Sequence, residues 1–152
     1  MLPKHKIPPP IIAITCAVLM WWLAPSTPTF ELNPIIQYSL ITLFIGLGLI
    51  FDFSALYVFR KAKTTINPMA PERASALVIN GIYRFSRNPM YVGLLFFLFA
   101  WAVFLQSIAS MGILIVFAIM ITYLQIKPEE TVLEKHFGDT FTEYKKRVRR
   151  WL

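Results

Sequence analysis

Charge and cysteine are both scarce in this chain of 152 residues: Asp, Glu, Lys and Arg together make up 15% of it, and Cys16 is its one cysteine. A lone cysteine closes no internal disulfide, and among apolar neighbours it anchors no zinc site, which sets aside disulfide scaffolds and metal-assisted chemistry. Glycine is also sparse, at six residues. Gly46 and Gly48 fall in the middle of an apolar run with no strand before them, so they read as close helix packing rather than a nucleotide loop. Internal repeats of the kind that mark inverted-repeat transporters are lacking as well.

What the chain has in quantity is apolar surface. It is 57% hydrophobic and 15% aromatic, with a mean hydropathy of +0.59, more than a soluble domain of ordinary composition carries. Four uncharged or nearly uncharged runs stand out, Ile11 to Ala24, Ile35 to Phe59, Met90 to Leu105 and Ile108 to Ile126. A full membrane crossing takes about 20 residues, which the second and fourth approach or exceed. The first and third are short on their own, but Ile7 and Pro8 to Pro10 lengthen the first, and the third can begin near Asn88 and run into Gln106. The expected fold is therefore all-α and integral to the membrane, with about four transmembrane helices near 8–24, 35–59, 89–106 and 108–126. A motif loop over 60–88 and an amphipathic helical tail over 127–152 complete a single membrane domain spanning 1–152.

The first run also has the look of a signal peptide, with Lys4 and Lys6 before a short apolar core. Leu23-Ala24-Pro25 lacks the small-x-small pattern, however, and a proline after the candidate cleavage site blocks processing. Trp21 and Trp22 read better as an interfacial belt. All fifteen lysines and arginines fall in the N-terminus, the 60–89 loop and the tail, and none in the 25–34 loop or the Gln106-Ser107 turn. Since positive charge stays on the inner side, both termini and the motif loop are expected in the cytoplasm, with the protein in the inner or plasma membrane. The net charge of +7 lies beside hydrophobic spans rather than on a polar domain, which favours anionic lipid headgroups over nucleic acid as partner.

In the tail, Leu133, Phe137, Phe141, Tyr144, Val148 and Trp151 recur at spacings of three and four, the pattern of one apolar helical face. Gly138 is expected to end a first helix, and Thr140 with Glu143 to form a capping box for a second. Lys145, Lys146, Arg147, Arg149 and Arg150 would then meet lipid headgroups.

Two segments concentrate the remaining chemistry, Asn80 to Gly93 and Pro128 to Asp139. They flank the same ends of the last two spans, so a tight hairpin at Gln106-Ser107 brings Arg87 and Glu130 close together. Each has a purely structural reading beside the functional one. Asn88-Pro89 suits a helix N-cap and first turn, Glu129 and Glu130 after Pro128 suit another helix start, and Arg84 and Arg87 suit a membrane boundary. Asp52 lies within the second span, where a carboxylate is a candidate for function or for a buried pair with a loop arginine. His136 has no neighbouring ligand or triad pattern and is left as a tail residue.

The pattern G-x-Y-x-x-x-R-N-P-x-Y-x-G over Gly81 to Gly93, the pair Glu129-Glu130, the F-G-x-x-F-x-x-Y run from Phe137 to Tyr144, and the closing Val148-Arg149-Arg150-Trp151 resemble the isoprenylcysteine carboxyl methyltransferase and phospholipid methyltransferase superfamily. The resemblance runs from Thr64 through Trp151. It implies a pocket for S-adenosylmethionine, leaving as S-adenosylhomocysteine, against a lipid-facing opening. Gly81, Tyr83, Asn88, Pro89, Tyr91 and Gly93 would form one wall, Glu129 and Glu130 the other, and Arg87 would position donor or acceptor. Many relatives carry histidine where this chain has Asn88, which removes any imidazole role here. The acceptor implied is lipidic or membrane-partitioned, with its reacting atom, oxygen, nitrogen or sulfur, left open.

Methyl transfer from a sulfonium needs positioning more than a metal or a nucleophilic side chain, and this inventory supplies it. A small four-helix transporter would call for several polar groups at mid-bilayer, and Asp52 is the only charged residue there. A non-catalytic adaptor with a lipid-binding basic tail explains Lys145 to Arg150 but leaves both motif segments without a purpose.

Overall fold

A computed structural model describes residues 7–62 and 76–152. The N-terminal lysines and the 63–75 part of the motif loop, with Lys63, Arg73 and the Thr64-Thr65 start of the resemblance, lie outside the described residues. Among the described residues six α-helices follow one another: α1 (Pro9–Leu23), α2 (Pro34–Lys61), α3 (Pro89–Leu105), α4 (Ile108–Ile121), α5 (Lys127–Phe137) and α6 (Asp139–Arg147). Short 3-10 turns cover Ala24–Ser26 and Gly81–Arg84, and a π-helical turn covers Thr122–Ile126. Three helical stretches, Pro9–Ser26, Pro34–Lys61 and Ile108–Phe137, are long and apolar enough to cross a membrane, and α3 is a shorter apolar helix. At about 1.5 Å per residue α3 reaches roughly 25 Å, close to a hydrocarbon core of about 30 Å. Trp22, Ile35, Phe53 and Ile115 are each at least 64% exposed, as side chains that face lipid rather than water should be. The protein is an all-α integral membrane protein.

The sequence sets the helix ends. Pro34 occupies the first turn of α2, and the Asn33 side chain accepts the Ile35 amide at 2.9 Å. Gln106 stops α3 by turning left-handed, at φ 49°. The 25–34 loop then closes over the α3–α4 turn: Phe30 N–H donates to the Gln106 carbonyl, Ile108 N–H donates to the Pro28 carbonyl, and the Thr27 and Ser107 hydroxyls meet at 2.8 Å. In lipid every such backbone group needs an internal partner.

One core joins α1, α3 and α4. Ile12, Cys16 and Met20 of α1 pack with Leu98 and Ala102 of α3 and with Phe117 and Ile121 of α4, and the Trp101 indole donates to the Ala17 carbonyl across α1 and α3 at 3.0 Å. Helix α2 runs antiparallel along α3. The Gln37 amide reaches the carbonyls of Val103 and Phe104 at one end, Phe44 stacks on Phe96 and Phe99 in the middle, and Gly93 meets Asp52 at the other. The backbones approach where side chains are absent: the ring of Phe97 fills the space a Cβ would need at Gly48.

Three local expectations are corrected. Pro128 does not open a new helix, because the chain is helical without a break from Ile108 through Phe137. Proline lacks the N–H that would bond back to Leu124, and its ring crowds that carbonyl; the wide turn over Thr122–Ile126 absorbs the mismatch. The Thr140–Glu143 capping box is not formed, since α6 already begins at Asp139 and shows no side-chain cap. The Thr142 hydroxyl instead donates to the Gly138 carbonyl at 3.3 Å. Asn88 stands at the N-cap position of α3 with Pro89 after it, yet its side chain makes no capping bond. Gly138 does end α5, at φ 53°, its N–H donating to the Glu134 carbonyl at 2.8 Å.

Candidate functional site

At the end of the bundle where α2 finishes, α3 starts and α5 starts, the 3-10 turn, the first turns of α3 and α5, and the C-terminal segment after α6 meet. Gly81 adopts φ 61°, a left-handed conformation natural to glycine, and lies against Val58 of α2. That turn carries Tyr83 into the interior, edge-on to Phe59 with centroids 5.4 Å apart. Burial pushes the Tyr83 phenol well above its ordinary value, and the charges of Glu129 and Asp52 push the same way after Tyr144. It therefore stays neutral.

The residues after Tyr83 are stitched to the C-terminus. The Tyr144 hydroxyl donates to the Tyr83 carbonyl at 2.6 Å, and the Arg87 amide donates to the Arg149 carbonyl at 3.0 Å. The Asn88 side chain donates to the Arg150 carbonyl at 2.8 Å, joined there by the Ser86 hydroxyl at 3.4 Å. Trp151 anchors this segment by donating to the Thr122 hydroxyl at 3.2 Å. Phe141 and Tyr144 are 2% and 4% exposed, so the apolar face read from the tail packs inward on this junction.

Glu130 sits at the centre, between Arg87 at 2.9 Å and Arg150, whose fork bonds both oxygens at 3.0 and 2.7 Å. Two guanidiniums share one carboxylate, leaving a positive excess in the cluster. The Arg87 side chain is only 10% exposed, and its Nε and Nη1 have no hydrogen-bond partner among the described residues. Burial lowers its proton affinity, Glu130 opposes that and Arg150 adds to it, while the hydrogen bond to Glu130 raises that of Arg150. Arginine keeps its charge through such shifts. Orphaned donors on a buried cation are costly and fit an anionic oxygen placed against them.

Glu129 faces the other way and accepts the Tyr91 hydroxyl at 2.7 Å. Pro89 is buried at the start of α3, and Gly93 lies two residues beyond Tyr91, where any Cβ would collide with the Asp52 carboxylate. The candidate residues thus divide into three groups: Arg87, Asn88 and Glu130 with the C-terminal segment, Tyr91 with Glu129, and Gly81, Tyr83 and Gly93 against α2. Ser86, Tyr144, Arg150, Trp151 and Thr122 also build the site. Arg150 was expected at lipid headgroups and turns inward instead, whereas Arg147 and Arg149 remain exposed. Its place directly before Trp151 in the closing motif was the available signal. His136 lies outside, edge-on to Phe137.

Beside this cluster a groove of about 390 Å³ opens between α3 and α4, lined by Leu95, Phe99, Leu114, Ala118, Thr122 and Trp151. Apart from the hydroxyls of Thr122 and Tyr123 this lining is apolar, and Trp151 is the residue next to Arg150.

Fold and site together define a small helical membrane protein with a buried arginine–carboxylate centre at one end. The profile of the phospholipid methyltransferase family matches residues 36–140, and the chain belongs to that family. It is accordingly a membrane methyltransferase. It is also similar to an uncharacterized protein of Haemophilus influenzae, 48% identical over 64 residues, which is 41% of this chain and 100% of that protein.

Proposed function

We propose that this protein transfers a methyl group from S-adenosylmethionine to a lipidic or membrane-partitioned acceptor at the cytoplasmic face of the membrane, working as one membrane domain. The observation that carries the reading is the buried Arg87 guanidinium with two donors unpartnered among the described residues. These fit the carboxylate of the methyl donor's amino-acid portion, and Glu129 with Tyr91 fits its ammonium or ribose hydroxyls. Glu130, held on both oxygens by arginines, orients Arg87 rather than reaching for the donor itself. When bound, S-adenosylmethionine supplies a methyl group already attached to a sulfonium leaving group. The protein's part is then to hold that group in line with the acceptor and to keep water out, for which the Tyr144 and Trp151 contacts close the side nearest the C-terminus.

The apolar groove ending at Trp151 supports an acceptor that arrives through the bilayer. Calorimetric titration of the purified protein with S-adenosylhomocysteine tests the reading without knowledge of the acceptor. Saturable one-site binding that Arg87→Ala weakens is the expected result, and absence of binding by the wild type would count against it.

A further inference from the structure

Beyond Arg87, three side chains hold a buried polar atom without a hydrogen-bond partner among the described residues: Asp52, Ser110 and Gln125. Asp52 packs on Gly93 on the α2-facing side of α3, and Ser110 lies in the first turn of α4, at the opposite end of the bundle. Gln125 stands instead in the wide turn that leads directly into Glu129 and Glu130. It is 0% exposed. Its amide nitrogen donates to the Ile7 carbonyl, while its Oε1 is left without a donor among the described residues. A buried amide oxygen in that state is costly, so packing alone would put an apolar side chain at this position.

The bond answers a need on each side. Ile7 is followed by Pro8, Pro9 and Pro10, none of which has an N–H to offer its carbonyl. The next two amides, of Ile11 and Ile12, both go to the Pro8 carbonyl. The Ile7 carbonyl is thus left without a donor from its own helix, and Gln125 supplies one. On the other side, the Lys127 N–H reaches back five residues to the Thr122 carbonyl, a π-helical pattern that is rare and occurs mostly as a single turn, frequently at functional sites. Contacts hold this turn along its length. Trp151 donates to the Thr122 hydroxyl at its start, Ile126 at its end shares one core with Ile12 and Tyr91, and between them Gln125 is tied to the segment ahead of α1. Glu129 follows Gln125 by four residues, about 6 Å further along the helix, and accepts the Tyr91 hydroxyl. Helix α1, the wide turn and the Tyr91–Glu129 pair are therefore one connected body, with Gln125 as its polar link to α1.

Resting on the methyl-transfer reading, we propose that Gln125 is a positioning residue for Glu129. By holding the Ile7 carbonyl it fixes the wide turn against the start of α1, and so aims Glu129 at Tyr91 and at the bound methyl donor. Ile7 thereby becomes a working part of a site whose other residues all lie at Gly81 or later in the chain.

The test uses the full chain in detergent and compares wild type, Gln125→Met and Gln125→Asn. Three quantities are measured: S-adenosylhomocysteine affinity by calorimetry, hydrogen exchange of the Ile11 and Ile12 amides, and thermal unfolding. Gln125→Met keeps the length of the side chain without its amide, and Gln125→Asn keeps the amide but is one methylene too short to reach Ile7. Each should weaken S-adenosylhomocysteine binding by about 3- to 10-fold, the worth of one hydrogen bond, and quicken exchange at Ile11 and Ile12. Gln125→Met should still unfold cooperatively, because the orphaned oxygen is lost together with the bond. The decisive comparison is made in the Glu129→Gln background. There Gln125→Met should cost less than about twofold more, since a residue that acts through Glu129 has nothing left to aim. A residue with a merely structural role would lose the same factor in both backgrounds. Affinity within about twofold of wild type for both variants, an equal loss with and without Glu129, or unchanged exchange at Ile11 and Ile12 would each overturn the proposal. So would loss of cooperative unfolding in both variants, which would make Gln125 a structural residue alone. Failure of the wild type to bind S-adenosylhomocysteine would instead remove the methyl-transfer reading on which it rests.

Discussion

Arg150 grips Glu130 with both edges of its fork, Nε at 3.0 Å on one oxygen and Nη2 at 2.7 Å on the other. A residue almost at the C-terminus is thereby tied to the first turn of α5, and the same carboxylate holds Arg87 at 2.9 Å. The neighbouring glutamate has a different client, Tyr91.

The two glutamates should accordingly fail in different ways. Glu130→Gln leaves two partly buried guanidiniums around a neutral group, and disrupting such a pair costs about 3 to 5 kcal/mol. Thermal unfolding in detergent should show that loss, with faster hydrogen exchange over 141–151. Glu129→Gln should leave stability nearly unchanged and weaken S-adenosylhomocysteine binding by about 1.5 to 3 kcal/mol, the worth of a hydrogen bond to a charged group. Identical behaviour of the two variants in both assays would contradict the division of labour.

Gly93→Ala drives a methyl group into the Asp52 carboxylate. Overpacking of this kind costs about 1 to 3 kcal/mol. In a double-mutant cycle Asp52→Ala should relieve part of that loss, because the two positions share one space; strict additivity of the two effects would show that they do not.

Phe141→Ala removes a ring that is 2% exposed and should cost about 3 to 5 kcal/mol. Tyr144→Phe keeps the ring and leaves the Tyr83 carbonyl without its donor, a loss of about 1 to 3 kcal/mol. Limited proteolysis near the C-terminus, compared with wild type, reads both, with Phe141→Ala cut faster.

Glu134 and Lys145 join α5 to α6 at 2.7 Å, and that hydrogen bond holds the Glu134 carboxyl below its usual range. A carboxyl whose folded pKa is depressed contributes stability above its unfolded value of about 4.3, and loses it as pH falls through the lower folded value. Hydrogen exchange of α6 should therefore quicken below about pH 4, and Glu134→Gln should remove that dependence while leaving exchange at neutral pH within a small factor, as the pair is largely exposed.

Reporter fusions after Leu152 and within the 25–34 loop should give cytoplasmic and external signals respectively, as the one-sided placement of lysine and arginine requires. The reverse pattern would move the site to the other side of the membrane.

Long apolar runs made the helices legible, and Pro89 and Gly138 marked helix ends because each constrains the backbone locally. The pairing of Arg87 with Glu130 was also readable, since a two-residue turn at Gln106-Ser107 leaves α3 and α4 little choice of register. Arg150 was misjudged because a basic cluster after an amphipathic helix has the same composition whether its side chains face lipid or a buried carboxylate. The capping box failed for a similar reason: Thr140 and Glu143 have the right spacing, but Gly138 lets α6 begin two residues earlier. Nothing local in the sequence signals that the C-terminal segment bonds Asn88, because the bond uses a backbone carbonyl, which every residue has.

The widened turn over Thr122–Ile126 acts as a phase adjuster. One residue more or less on a helix rotates everything beyond it by about 100°, so the surplus there decides which azimuth Glu129 and Glu130 occupy. Deleting a single residue from this stretch would leave the span as greasy as before and invisible to any hydropathy profile. It would nonetheless swing the two carboxylates away from Tyr91 and from the arginines, a frameshift in angle with the reading frame intact.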